Sequence, residues 1–560
     1  MKKTVDMVIT GAQVLNVFTR EFEATSLWID DGCVISNLAD EPYTAREQVD
    51  ATGKWIVPGM IDAHVHMESA MVAPSELGKV LLKHGVTAIA TDPHELANVA
   101  GTAGIQYLID DARQTPLDVF FMLPSSVPCV PFDDNGATLH AADLRPLYAQ
   151  PEVRGLAEVM DYGAVERGDD DIIAKIRDAN AHGYHADGHA AGLDPHQLNV
   201  MRNAGLDTDH ECTTVQEALD RVKAGMTVFL REGTVERDVV ATLGAVTEAN
   251  ASRFAFCTDD KTIADLISEG SIDYNVKLAI AHGMRPALAY TLASYNAARA
   301  HRLTDRGSLT PSKLADLVVL DDPKQVTISR TMKAGKWIDQ PASTTPLPFT
   351  ATRIQQHATL ADLRLPLTHG DVNVIGVQPN HIETDRLVTN VPVVAGEFQA
   401  DLAHDVLKMV VVERHHQTGR VGVGLVHGFQ LKHGALAGSV AHDAHNIVAV
   451  GTSDLAILRA IDKITATNGG LAIADDQQIT ANLPLAVGGL LSATDYQTTA
   501  TQLTALKQAY DALCEAPLSF DPFITLSFLT LPVIPTLKLT DRGLFDYDQF
   551  DFIPVEVAKA

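Results

Sequence analysis

The stretch from residue 58 to residue 304 alternates short apolar, β-branched runs with amphipathic segments of helical length, and this alternation constrains the fold more than any other feature of the chain. Repeated strand–helix units are typical of a parallel (β/α)8 barrel, although an open doubly wound sheet has the same local pattern. Polar side chains recur where successive predicted strands end. Because a parallel barrel gathers these ends around one mouth, their positions favour the barrel.

The residues on either side of the predicted barrel indicate two further domains. Residues 1–57 alternate in polarity like antiparallel strands, and similar runs return over residues 305–345. We therefore expect one small β-sandwich domain, split in the chain by the barrel over residues 58–304. The Pro- and Thr-containing residues 340–350 indicate a linker. Residues 346–560 are long enough for a C-terminal α/β or α+β domain.

The composition argues against several classes of protein. A formal charge of −28 gives the chain no electrostatic reason to bind a phosphate backbone. The five cysteines lie far apart and never as Cys-x-x-Cys, which argues against a disulfide scaffold or a structural zinc knuckle. Asp6 stands where a signal peptide is apolar, and no apolar run is long enough to span a bilayer. We therefore expect a cytoplasmic protein that binds neither nucleic acid nor membranes.

The first candidate site is His64-Val65-His66, at the end of an apolar predicted strand. Residues two apart on a strand project from the same face, so both imidazoles can reach one metal ion or one pair of ions. His-x-His alone more often marks polar residues on a hydrated strand face. Here the strand begins after Pro58-Gly59 and leads into Glu68-Ser69, which favours a metal site.

Later predicted strands end in four more candidate ligands: Glu158, His189, His210 and Asp259. A buried carboxylate such as Glu158 is costly without a cation, and Arg154 offers an alternative partner for it. His185 competes with His189 on the same predicted strand.

The order of these residues is more informative than any one of them. His-x-His is followed by a carboxylate, two histidines and an aspartate, each at a predicted strand end. Nitrogen and oxygen ligands without a thiolate suit divalent ions such as Zn, Fe or Mn. The set therefore predicts a site for two divalent ions at the mouth of the barrel.

Longer segments around these residues resemble the amidohydrolase superfamily and, within it, the adenine deaminases. The His-x-His segment and Ala-Asp-Leu at 315–317 resemble the superfamily in general. Pro-His-Glu at 93–95, Glu-Val-Met-Asp at 158–161 and Asp-His-Glu-Cys at 209–212 resemble the narrower family. The similarity extends over nearly the whole chain, through segments at 58–69, 91–99, 155–161, 187–189, 209–214, 257–261, 296–299, 307–311 and 315–320.

The resemblance implies a (β/α)8 metal-dependent hydrolase barrel with a binuclear divalent metal centre. The implied ligands are His64 and His66 on one ion, His189 and His210 on the other, Glu158 bridging the two, and Asp259 as the last ligand. Many members of the superfamily use a carbamylated lysine as the bridge, whereas Glu158 is similar to the adenine deaminases. Asp260, the next residue in the chain, remains an alternative to Asp259 as the last ligand. Mn or Fe is expected, with Zn as the alternative.

The implied reaction is hydrolytic deamination of adenine to hypoxanthine and ammonia, in purine salvage or catabolism. Metal-activated hydroxide would attack C6, with Glu158 and Asp259 as the catalytic residues and Asp259 as the proton carrier. Adenine would be the small-molecule partner, and a homodimer or larger homo-oligomer is expected. A deaminase of another base or a cyclic amidase would use the same centre. A non-catalytic relative is the alternative from another class, although such relatives typically lose ligands.

The remaining candidates would contact the purine or support the ligands: Glu68, His94, Glu95, Glu211, Asp260, His442 and His445. Glu211 is a candidate to orient its neighbouring ligand imidazole. His442 and His445 lie between two apolar predicted strands of the C-terminal region, where adenine deaminases have a similar segment. We expect that domain to approach the mouth of the barrel and to exclude water.

Overall fold

The computed structural model describes residues 3–339 and 344–558. Residues 340–343 of the predicted linker therefore lie outside the described residues. Strands and helices fall into a small sheet, a barrel and a C-terminal domain. Among the described helices, none combines the length and the apolar character that crossing a membrane requires.

The strands that precede and follow the barrel join in one eight-stranded sheet. They are β1 (Lys3–Asn16), β2 (Glu21–Asp30), β3 (Cys33–Ser36), β4 (Tyr43–Asp50) and β5 (Trp55–Pro58), with β14 (Leu317–Asp322), β15 (Thr327–Lys333) and β16 (Lys336–Trp337). The order is β16-β15-β14-β5-β1-β2-β3, and β4 also pairs with β1. The alternation suggested an antiparallel sheet, but the sheet is mixed. After β3 the chain returns to the free edge of β1 and runs parallel to it through β4 and β5.

Eight parallel strands form the barrel and pair in chain order. They are β6 (Met60–Val65), β7 (Val86–Thr91), β8 (Asp118–Leu123), β9 (Val153–Val159), β10 (His185–Gly188), β11 (Leu206–Asp209), β12 (Thr227–Arg231) and β13 (Phe254–Cys257). The barrel closes just beyond β6 and β13, where the Asp259 amide donates to the His64 carbonyl at 3.0 Å and the His66 amide donates to the Asp259 carbonyl at 3.2 Å. The barrel prediction is confirmed.

Helices follow the barrel strands and cover the outside. They are α1 (Pro74–Leu81), α2 (His94–Ala112), α3 (Ala141–Leu144), α4 (Tyr162–Arg167), α5 (Asp170–Ala181), α6 (Pro195–Ala204), α7 (Val215–Lys223), α8 (Val239–Thr242), α9 (Ile263–Ser268), α10 (Ile272–Ala281), α11 (Pro286–Thr291) and α12 (Ala297–Ala300). Several begin at side-chain caps. Asp194 accepts from the backbone at the start of α6, and Thr214 does so at the start of α7, each within a capping box.

The C-terminal domain contains an eight-stranded sheet in the order β18-β17-β22-β21-β24-β23-β25-β26 and a smaller sheet of β27 to β29. Its elements are β17 (Asp371–Val377), β18 (Thr384–Asn390), β19 (Val393–Val394), β20 (Glu397–Phe398), β21 (Val406–Val412), β22 (Val421–His427), β23 (Ala435–Gly438), β24 (Ile447–Gly451), α13 (Asp454–Ala466), β25 (Gly470–Ala474), β26 (Ile479–Pro484), α14 (Tyr496–Asp511), α15 (Pro522–Phe528), β27 (Leu537–Thr540), β28 (Gly543–Asp546) and β29 (Asp551–Phe552). Helix α13 buries Ile457, Ile461 and Ile464 among residues of this sheet.

The barrel and the C-terminal domain share one hydrophobic core, which contains buried side chains from both. Backbone and ion-pair contacts join them as well. The Ser492 amide donates to the Met71 carbonyl at 2.9 Å, and Arg542 Nη2 lies 2.9 Å from Asp134 Oδ1. Because the contact continues a packed core, the C-terminal domain is held against the barrel rather than tethered to it.

Candidate active site

Strand ends of the barrel supply all six candidate ligands. In chain order they are His64 within β6, His66 directly after it, Glu158 near the end of β9, His189 directly after β10, His210 directly after β11, and Asp259 beyond β13. The carboxyl ends of parallel barrel strands meet at one mouth, so residues far apart in sequence converge there. All six are buried except His189, which is partly buried.

The Glu158 carboxylate lies among three imidazoles. Its Oε2 is 2.6 Å from His189 Nδ1 and 3.3 Å from His210 Nε2. Its Oε1 is 3.3 Å from His66 Nε2. Burial opposes ionisation, but the hydrogen bonds from His189, His210 and His66 hold the pKa of Glu158 well below its usual range. One oxygen of this ionised carboxylate faces His66 and the other faces His189 and His210, so the carboxylate can bridge two cations.

The opposite side of the cluster joins His64, His66 and Asp259. The two Nε2 atoms of His64 and His66 are 3.2 Å apart, and Asp259 Oδ1 lies 3.6 Å from the first and 3.2 Å from the second. Two ligands about 2.1 Å from one tetrahedral ion lie roughly 3.4 Å apart, so these separations fit atoms that share a cation. The donor set therefore fits a divalent metal centre.

Hydrogen bonds on the far side of two rings set their orientation. His64 Nδ1 lies 3.0 Å from Asp187 Oδ2, and His66 Nδ1 lies 3.3 Å from the Asp92 carbonyl. Each contact directs Nε2 toward the cluster, as metal-binding histidines require. Burial opposes ionisation of Asp187, but its hydrogen bond with His64 lowers its pKa overall.

Of the competing sequence candidates, Arg154 and His185 lie away from the cluster, whereas Asp260 lies beside it. Arg154 Nη1 donates to the Tyr184 hydroxyl at 3.0 Å, so Arg154 is engaged near the start of β9 rather than with Glu158. His185 begins β10 and packs against His301 with ring centroids 4.7 Å apart. Burial lowers the pKa of His185 to about 3, so its ring is neutral at physiological pH. The Asp260 carboxylate accepts a hydrogen bond from the Ser69 hydroxyl.

A buried arginine that sequence reasoning missed lies beside the cluster. Arg231 contacts three carboxylates: its Nη1 is 3.0 Å from Asp259 Oδ2, its Nε is 2.7 Å from Asp238 Oδ2, and it also pairs with Glu211. Burial opposes ionisation of Glu211, but the charge of Arg231 lowers the pKa of that carboxyl to about 2. Glu211 Oε1 also lies 3.3 Å from His210 Nε2. Arg231 is the last residue of β12, so the search for polar residues at strand ends that gave the candidate ligands could also have identified Arg231.

The C-terminal domain contacts the barrel mouth through Glu95. The Glu95 carboxylate lies 2.6 Å from His442 Nδ1 and also contacts His445. The same oxygen that contacts His442, Glu95 Oε1, is 3.3 Å from His94 Nε2. The Phe528 ring stacks on His442 with centroids 4.3 Å apart. Two histidines predicted from the C-terminal sequence thus hold a carboxylate of the barrel.

A cavity lined by residues of the barrel and of the C-terminal domain opens on this cluster. Its polar lining includes Glu158, His210 and Asp259 from the barrel and Asp443 from the C-terminal domain. Its apolar lining consists of Met160, Ile382, Phe528, Leu531 and Ile534. The C-terminal domain therefore supplies most of the apolar wall, which no local sequence signal indicated.

Glu68 lies behind this cavity and is absent from the lining that the described residues form. Its Oε1 accepts from the Leu96 amide at 3.3 Å. Burial, with the charge of Glu95, raises the pKa of Glu68 to about 8, so this carboxyl is protonated near neutral pH. The contact places Glu68 as a support of helix α2 rather than at the cavity surface.

The closed barrel and its strand-end cluster define an amidohydrolase, and a family model described as "Amidohydrolase family" matches residues 55–338. A second model, described as "Adenine deaminase C-terminal domain", matches residues 381–551. The chain therefore belongs to the amidohydrolase family and, within it, to the adenine deaminases, as its relatives also show.

Curated relatives match over whole lengths. A protein from Lactiplantibacillus plantarum named "Adenine deaminase" is 77% identical over 100% of this chain and 99% of its own length. A protein of the same name from Leuconostoc citreum is 48% identical over 99% of this chain and 100% of its own length. Among solved structures, an N-acetyl-D-glucosamine-6-phosphate deacetylase from Mycobacterium smegmatis is 20% identical, with a TM-score of 0.46 over 59% of this chain and 99% of its own.

Proposed function

We propose that this protein hydrolyses adenine to hypoxanthine and ammonia. The observation that carries the proposal is the Glu158 carboxylate among His66, His189 and His210, in a chain 77% identical over its whole length to a protein named adenine deaminase. The cavity above this carboxylate joins polar residues to an apolar wall, which suits a flat heterocyclic base.

Two divalent cations fit the donor set. His64, His66 and Asp259 would hold one, and His189 and His210 the other, with Glu158 between them. When bound, the cations supply Lewis acidity that brings the pKa of a water molecule near neutral. Imidazole and carboxylate donors without thiolate suit Mn or Fe, which we propose, with Zn as the alternative.

Asp259 is placed to carry a proton. One of its oxygens faces His64 and His66, and the other accepts from Arg231 at 3.0 Å. Burial opposes ionisation, but hydrogen bonds from the two histidines hold the pKa of Asp259 well below its usual range, so the carboxylate starts as an acceptor. Hydration at C6 of adenine requires protons at ring N1 and on the departing ammonia. Asp259 can take a proton from the attacking water and deliver one to the leaving group.

The substrate panel is the direct test of this proposal. Purified protein loaded with Mn, Fe or Zn should release ammonia from adenine and change its ultraviolet spectrum to that of hypoxanthine. Guanine, cytosine and a cyclic amide such as hydantoin should react at least about a hundredfold more slowly, because pocket shape selects among substrates of one centre. Faster turnover of one of these alternatives would reassign the substrate. A metal-loaded protein without turnover would support a non-catalytic role.

The contact of the C-terminal domain with Glu95 gives a second test. We expect His442→Ala to lower kcat/KM for adenine by about 10–100-fold, because Glu95 loses a charge-assisted hydrogen bond and Phe528 loses the ring on which it stacks. His404→Ala is the matched control, since the His404 side chain in the same domain is 77% exposed. Steady-state kinetics at equal thermal stability check the effect. An unchanged kcat/KM for His442→Ala would remove this contact from the function.

We propose domains at residues 1–57 with 305–345, at 58–304 and at 346–560, supported by the separate sheets at those positions. The homo-oligomer and the cytoplasmic location stay predictions.

A further inference from the structure

We propose that Glu236 determines specificity for the free base by binding the N3 and N9–H edge of the purine. The inference rests on the proposed deamination and adds the residue that selects the substrate at the same cavity. No sequence pattern singled out Glu236.

Glu236 is a buried carboxyl group that forms no side-chain hydrogen bond with any described residue. Its relative exposure is 5%, and neither side-chain oxygen has a hydrogen-bond partner among the described residues. It lines the same cavity as Glu158, His210 and Asp259. An unpaired buried polar group is costly, and a ligand that supplies the missing hydrogen bonds removes that cost.

The positively charged side chains near Glu236 in sequence are paired with other carboxylates. Arg231 pairs with Glu211, Asp238 and Asp259. Arg237, the next residue in the chain, has its Nη1 3.0 Å from a Glu269 oxygen. Glu236 therefore keeps its hydrogen-bonding capacity for whatever enters the cavity.

The backbone holds Glu236 in place. The Gly233 amide donates to the Glu236 carbonyl at 2.8 Å, and the Thr234 amide donates to the Asp260 carbonyl at 2.7 Å. A Cβ atom at Gly233 would lie 2.6 Å from that same Asp260 carbonyl oxygen, so the close approach requires glycine. The loop after β12 is thus fixed to the residue that follows Asp259, and the backbone at Glu236 is held in place.

Purine chemistry identifies the edge that a carboxyl fits. An ionised carboxylate accepts the N9–H hydrogen, and a protonated carboxyl both accepts N9–H and donates to N3. This edge lies away from C6, which leaves the reacting carbon free to face the histidine cluster. A nucleoside carries a sugar on N9 and has no hydrogen there, so a free purine base is the substrate class that satisfies Glu236.

The test compares Glu236→Leu with the parent on adenine and on 9-methyladenine, because leucine can neither accept from N9–H nor donate to N3. Glu232→Leu is the matched control, because Glu232 is buried in the same loop and does not line the cavity. In Glu236→Leu, kcat/KM for adenine should fall about 10–100-fold, mainly through KM, while the parent's weaker constant for 9-methyladenine should change less than about twofold. Glu232→Leu should leave both values near those of the parent.

Calorimetric binding of hypoxanthine and 9-methylhypoxanthine provides a readout that does not depend on turnover. Loss of affinity in Glu236→Leu should be confined to hypoxanthine, which has the N9–H group. Equal losses for methylated and unmethylated bases, or none, would overturn the role of Glu236. A parent protein that binds hypoxanthine in this Glu236-dependent way but releases no ammonia from adenine would instead contradict the proposed deamination.

Discussion

Replacing Glu158 with Gln should remove most turnover and weaken metal binding. We expect adenine deamination to fall by at least about a thousandfold, equivalent to about 4 kcal/mol in the barrier, because a neutral amide cannot bridge two cations as a carboxylate does. Elemental analysis after dialysis should show less metal per chain than in the parent. Ultraviolet and ammonia assays on the same samples measure the rate.

The control for this prediction is Glu152→Gln. Glu152 lies just before β9, and its Oε1 forms an ion pair of 2.8 Å with Arg113 at the surface. Losing an exposed pair of this kind changes stability by at most about 1 kcal/mol and leaves the site intact. Equal metal content and equal rates in Glu158→Gln and Glu152→Gln would place the metal centre elsewhere.

Asp259→Asn should be the second severe variant, and it distinguishes two adjacent aspartates. We expect kcat to fall by about 10²–10⁴-fold, since a carboxamide at this position cannot accept and pass on a proton. Asp260→Asn should lose no more than about tenfold, because the Asp260 carboxylate accepts from the Ser69 hydroxyl and an amide oxygen can do the same. Steady-state kcat at matched metal content measures both.

The reverse order of the two losses in kcat would contradict this prediction. A larger loss in Asp260→Asn than in Asp259→Asn would move the proton carrier by one position. Matched metal content is needed because Asp259 Oδ1 is close to both His64 and His66, and a change in occupancy alone would lower kcat.

The barrel was predictable because parallel strands buried on both faces appear as apolar runs at regular intervals. The pairing of the small sheet was not. Strand β4 is largely exposed and polar, so its sequence has no clear alternation to indicate which edge it joins. Its parallel contact with β1 is set by the return of the chain after β3, which is a tertiary constraint.

The convergence of the six candidate ligands was predictable because each lies at or next to a strand end, and the carboxyl ends of barrel strands meet at one mouth. His185 and His189 were separable only in the structure, where His189 contacts Glu158 and His185 packs beside His301. Glu236 lies in a loop beyond β12, where an isolated acidic residue is ordinarily solvated. Phe528 reaches the cavity from far along the chain, and only tertiary packing shows this.

The hydrophobic core shared by the barrel and the C-terminal domain has a consequence for damaged copies of this protein. A premature stop codon after the barrel would leave a broad apolar surface in water, and such surfaces aggregate or attract proteases and chaperones. The cell would then contain no partly active fragment that could inhibit or compete with the intact protein. Quality control would clear the fragment, and the mutation would behave as a simple loss of protein.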